Sequence, residues 1–135
     1  MIINIKGAPI PLSRARAGKS GFYDPQYKAK ENFAWDVKRI WRKDPLAIPI
    51  KVNFYFYIGI PKSWSQKKKN IKDLTLHDQK PDLSNLIKFV EDALNGTLWK
   101  DDSLLCDIRA VKRWSFDPRT VIEIPILADK EELQA

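Results

Sequence analysis

The chain has 135 residues, 44% of them hydrophobic, enough to fill one core and too few for two ordinary domains, so residues 1–135 are expected to fold as a single domain. Its 24 Lys+Arg against 17 Asp+Glu give a net charge of +7, a field that draws nucleic acid or anionic membrane; the acids gather in a central cluster and in Asp129-Lys130-Glu131-Glu132, leaving the remaining surface more basic still. No apolar stretch approaches the roughly 20 residues of a membrane span, and Met1 to Lys6 lacks a basic region ahead of an apolar one, so a soluble cytoplasmic protein with no membrane partner is expected.

Ile2 to Lys6 reads as a strand ended by Gly7, Pro9 and Pro11. The small, basic segment Ser13 to Gly21 follows; its Arg14, Arg16 and Lys19 are candidate phosphate contacts, and a solvated connector is an equal alternative. Asp24-Pro25 looks like a cap with proline at the first helical position. Phe33, Ala34, Val37, Ile40 and Trp41 then form an apolar face ending near Lys43. The opposite face carries Lys28, Lys30, Lys38, Arg39 and Arg42, either lining a groove for DNA or simply solvated.

Ile50, Val52, Phe54, Phe56 and Ile58 alternate with polar or half-polar residues, the period of a strand with one buried face. Pro61 to Lys80 turns polar, holds Trp64 and the run Lys67-Lys68-Lys69, and reads as a long basic loop; its length favours a functional role, here contact with DNA. Tryptophans are more often core than stacking platforms, and Trp64 beside the lysine run is the candidate for stacking on an exposed base. Leu83, Leu86, Ile87, Val90 and Leu94 repeat as the buried stripe of a second helix, stopped at Asn95-Gly96. Leu104 to Trp114 and Thr120 to Leu127 read as two final strands about a turn at Asp117-Pro118. Cys106, the lone cysteine, excludes an intramolecular disulfide and is expected to be a buried, inert thiol. The element order implies a two-layer α+β domain with a mixed sheet and two main helices.

The face of the second helix opposite its stripe displays Ser84, Asn85, Lys88, Glu91, Asp92 and Asn95. Because four residues turn about 400° and seven about 700°, Ser84, Lys88 and Glu91 lie along one line. Asp82 precedes that face, and a tight reversal at Gly96 lets Asp101-Asp102 return beside it. Such carboxylates suit a hard, partly hydrated divalent cation facing phosphate oxygens. Each residue also has a plain alternative: Asp82 as helix cap, Lys88 with Glu91 or Asp92 as a surface pair, Asp101-Asp102 as a solvated turn. His77 is more simply a structural loop residue.

The block Lys80 to Lys88, with Asp92-Ala93-Leu94-Asn95-Gly96 and Trp99 to Ser103, resembles the RusA family of Holliday-junction resolvases, as does Pro61-Lys62-Ser63-Trp64-Ser65 ahead of the lysine run. The resemblance implies a small, homodimeric, magnesium-dependent endonuclease of phage or prophage origin, with manganese as a substitute ion, cutting four-way junction DNA by paired nicks in recombination and repair. On this basis Asp82 matches the first essential Asp of an Asp-x-Asp-Asn motif, Asn85 its Asn, Lys88 the essential Lys, Asp102 the later essential Asp, and Asp101 the acid beside it. Ser84 stands where the family has a second Asp. Glu91, offset by about 20° on the same face, is a candidate replacement ligand, and Ser84 acting directly or through a bound water is an equal alternative. The rival expectation is a protein that binds branched DNA without cutting it.

Overall fold

The computed structural model describes residues 1–13, 16–18 and 21–125. Its central strand β4 (Ile50–Gly59) buries Ile50, Val52, Phe54 and Phe56 and turns Lys51, Asn53, Tyr55 and Tyr57 outward, as the alternation requires. On one side β4 pairs in parallel with β5 (Leu105–Ser115) and on the other antiparallel with β6 (Arg119–Glu123). β6 in turn pairs antiparallel with β1 (Ile2–Lys6), giving the order β1-β6-β4-β5. This is a mixed sheet in an α+β chain, as expected. The reversal between β5 and β6 is held by Ser115 Oγ, which accepts from the Asp117 amide at 3.0 Å and from Arg119 Nη1 at 3.2 Å.

Two helices supply the other half of the core. α1 (Tyr27–Ile40) packs on β1 and on α3 (Leu83–Leu94), which also reaches β5. Val37 of α1 and Leu86, Val90 and Leu94 of α3 are buried with the inner residues of β4. Lys30 locks the two helices together: its ammonium lies 2.6 Å from Asp24 Oδ2 and 3.6 Å from Asp92 Oδ2. It is therefore an internal strut rather than part of a groove for DNA. Its hydrogen bond, the larger effect, holds the Asp24 carboxyl below the ordinary carboxylate range.

Four expectations are corrected. The segment Pro61 to Lys80 is not wholly a loop: it contains α2 (Gln66–Lys72), started by Ser65, whose Oγ accepts from the Lys68 amide at 3.2 Å. A hydroxyl cap starts this helix, which has no buried residue and no apolar stripe. The basic segment before α1 holds a small antiparallel ribbon of β2 (Arg16–Gly18) and β3 (Gly21–Tyr23), with Gly18 opposite Gly21; Arg14 and Lys19 lie outside the described residues, as do Leu127 and the acidic tail. α1 begins at Tyr27 because Gln26 is occupied elsewhere, accepting from the Ser13 amide and donating to the Pro11 carbonyl, both at 2.8 Å; at its far end Ile40 is exposed. Cys106 is exposed: it lies on the edge strand β5 where the register with β4 shifts between Ile50 and Lys51, so it faces no β4 partner. Among the described residues no helix is long and apolar enough to cross a membrane.

Candidate active site

The parallel pairing of β4 with β5 forces the chain to cross from the end of one to the start of the other. That crossing carries every acid singled out by the sequence. α3 starts at Asp82, in extended conformation and exposed, its side chain making no cap bond. Its Oδ1 accepts from Lys80 Nζ at 2.9 Å. That hydrogen bond first, then the Lys80 charge, with a smaller push from Lys112, holds the Asp82 carboxyl below its ordinary value.

At the other end of α3, Gly96 adopts a positive φ of 77°, which glycine tolerates without strain. The Gly96 amide donates to the Trp99 carbonyl at 2.8 Å, and the Leu46 and Lys100 amides donate to the carbonyls of Leu98 and Leu46 at 2.9 and 2.8 Å. Trp99 is completely buried, edge-on to Phe54, and its indole N–H donates to the Glu91 carbonyl at 3.4 Å. This tryptophan returns the chain to the flank of α3 and delivers Asp101 and Asp102 there. Asp101 caps the 3-10 turn Asp102–Leu104, its Oδ2 accepting from the Ser103 amide at 3.0 Å. Bonds to Ser103 lower its carboxyl from the ordinary value.

Glu91 shows where negative charge is crowded. Burial first, then the charges of Asp102 and Asp92, push its carboxyl above the ordinary value, against a smaller opposing effect of Lys88. Asp102 and Lys88 thus each lie within electrostatic reach of Glu91, while Asp82 is engaged by Lys80 and Asp101 by a backbone amide. Ser84 is exposed and Asn85 half-buried, its carbonyl accepting from the Leu12 amide at 2.9 Å. Asp92 pairs with Lys30, so it does not serve as a surface partner of Lys88. Among the described residues no three His, Cys, Asp or Glu side chains gather closely enough to hold a metal ion by themselves. The donor chemistry nonetheless fits magnesium, which keeps several waters and needs only one or two carboxylates besides substrate phosphate.

Glu91 carries a testable sign. A carboxyl with raised pKa in the folded state adds stability that is complete below its ordinary value of 4.5 and is lost as pH rises through the raised value. In metal-free buffer at pH 7, Glu91→Gln is therefore expected to melt roughly 1–3 °C above wild type, the scale of a solvent-screened interaction. The gain should shrink as pH falls below 4.5; a gain that persists unchanged there would rule out ionisation as its source.

Sequence reasoning missed three contributors: Trp99 as the anchor of the acidic loop, Lys80 as the partner of Asp82, and Lys112, which reaches the same region from β5. Of the two readings of Trp64, the structure favours packing: its ring lies on Trp114 at 4.8 Å between centroids and has Lys68 Nζ 4.0 Å from its own centroid. Trp64 anchors α2 on the sheet. His77 is buried against Trp114 at 4.2 Å; burial, then Lys112, keeps its imidazole below the ordinary pKa.

Comparison with known proteins bears directly on this crossing. Residues 6–125 match the family described as endodeoxyribonuclease RusA. The chain is also 38% identical, over 130 residues, to the uncharacterized protein YqaN of Bacillus subtilis (strain 168), a match spanning 89% of this chain and 92% of that protein. A family match that takes in β4, both ends of α3 and the returning acidic loop means that the chain belongs to the RusA family and is an endodeoxyribonuclease of the kind that resolves Holliday junctions.

Proposed function

We propose that residues 1–135 act as one endonuclease domain that, as a homodimer, resolves four-way junction DNA by paired symmetric nicks with magnesium as its cofactor and manganese as a substitute. The observation that carries this reading is the return of the Asp101–Asp102 loop to α3, held by the Trp99 indole donating to the Glu91 carbonyl, in a chain of the RusA family. Carboxylates brought to one end and one flank of a helix offer a divalent cation the oxygen ligands it needs. Glu91 and Asp102 would hold the ion, with Asp82 and Asp101 free to leave weak surface partners and join them; Glu91 thereby takes over the charge missing at Ser84. When bound, the ion supplies a nucleophilic water and stabilises charge on the phosphate. Lys88, exposed on the same line of α3, neutralises charge building on the phosphate oxygens. Two equivalent strands to cut match an enzyme with two-fold symmetry.

Phosphate contacts come from the basic surface. α2 presents Lys67 and Lys68, both exposed, and the half-buried Lys69 on one short helix, joined in this proposal by Arg14, Arg16 and Lys19. Replacing Lys67, Lys68 and Lys69 together by Ala is expected to flatten the dependence of log affinity on log salt by about 2–3, since each released phosphate contact contributes about 0.9. An unaltered slope would exclude α2 from the interface.

The proposal is tested on a labelled synthetic four-way junction. Magnesium should produce nicks at symmetric positions in opposing strands and leave linear duplex intact, and at pH 7 magnesium should raise the melting temperature of wild type more than that of Glu91→Gln. Tight junction binding with no nick in magnesium or manganese would instead favour a branched-DNA-binding protein that has lost catalysis through Ser84.

A further inference from the structure

The segment joining α2 to α3 is laid along the outer edge of β5. The Leu74 amide donates to the Trp114 carbonyl at 2.8 Å, Trp114 to Thr75 at 2.9 Å, and His77 to Lys112 at 3.0 Å. Arg113 Nη1 adds a bond to the Leu74 carbonyl at 3.0 Å. Beyond His77 this backbone ladder ends, and a side chain continues it. Lys112, opposite Phe56 and so on the inner face of the sheet, directs its ammonium to the carbonyl of Gln79 and, at 2.6 Å, to that of Pro81. The Pro81 carbonyl belongs to the peptide that leads into Asp82.

Lys112 is half-buried, and an ammonium spent on two main-chain oxygens, with no carboxylate bonded to it among the described residues, is an arrangement that fixes backbone. Asp82 needs such fixing, because among the described residues its side chain is bonded to the exposed Lys80 alone. Where its carboxylate reaches is set by where its Cα stands. We propose that Lys112 is a positioning residue for strand cleavage, clamping Gln79 and Pro81 to β5 so that Asp82 projects from a fixed point at the start of α3. The inference rests on the proposal that Asp82 acts at the cut phosphate. Displacing a catalytic group by about 1 Å is enough to cost about a hundredfold in rate.

The test uses the full chain and a synthetic four-way junction under single-turnover conditions, at saturating magnesium and well below the melting temperature. Lys112→Met keeps the length of the side chain and removes its donors. The nicking rate constant is expected to fall about ten- to a hundredfold while junction affinity changes less than about twofold, and Lys112→Arg, which keeps charge and donors, should recover most of the loss. A rate within about twofold of wild type for Lys112→Met overturns the inference. So does an equal loss of affinity and rate, which would make Lys112 a phosphate contact. Should Lys112→Met not fold, nitrogen NMR of the wild-type lysine ammonium groups decides: a clamped Lys112 exchanges protons with water more slowly than exposed Lys67, and equal exchange refutes the clamp. Asp82→Asn, assayed in parallel, separates the two proposals. Full nicking by Asp82→Asn removes the role of Asp82 and this inference with it, whereas an inactive Asp82→Asn beside a fully active Lys112→Met removes the positioning role alone.

Discussion

Asp82→Asn is expected to lower the rate of junction nicking by about 10²–10³-fold, the scale of removing one electrostatic contributor from a transition state, while junction binding stays the same or tightens slightly. The substitution is nearly isosteric and removes one negative charge. Asp82 is exposed at the start of α3 and makes no cap bond, so the fold has little to lose. Near a polyanion the lost charge favours association. The contrast between lost cutting and retained binding is what distinguishes a catalytic acid from a helix-start residue: a capping role predicts a lower melting temperature and an unchanged rate per folded molecule. Nicking at the wild-type rate would sink the assignment.

Trp99→Ala should be the most damaging single change to the fold. The side chain is completely buried against Phe54 and closes the return from α3 through the backbone pairing of Leu46 with Trp99. Emptying such a site costs about 3–5 kcal/mol, or on the order of 10 °C in melting temperature for a chain of this size. Trp35→Ala, at a position that is 53% exposed, should stay within about 0.5 kcal/mol of wild type. Because Trp99 also donates to the Glu91 carbonyl, its loss frees the Asp101–Asp102 loop from α3, so nicking should fall further than the unfolded fraction accounts for. Equal melting temperatures for the two alanine variants would show that the acidic loop is anchored elsewhere.

What could be read from the chain depended on the range of the interactions. β4 and α3 were legible because their burial follows periods of two and 3.6, and Ile50 to Phe56 and Leu86 to Leu94 are buried on that pattern. α2 was not, since Ser65 and three lysines carry no apolar rhythm. The start of α1 was misplaced because Asp24-Pro25 looks local, while the deciding bonds join Gln26 to Pro11 and Ser13. Cys106 was misjudged because apolar neighbours in sequence do not reveal an edge strand. For the site, the acids and Lys88 stand out as residue types at the right spacing. Lys80 and Lys112 do not: an ammonium bonded to carbonyls 31 and 33 residues away leaves no mark in sequence, and an ion pair two residues apart looks like any other.

The crossing between β4 and β5 has a consequence for how such an enzyme changes over time. Both framing strands keep one register from Lys51 to Gly59, and the acids, Lys88 and the lysine helix all lie in the one contiguous stretch between them. Substitutions on the exposed face of α3 can alter charge or reach without disturbing the register of the strands that frame it. The chemistry is therefore a detachable cassette, free to drift between cutting and mere gripping of DNA on an unchanged chassis.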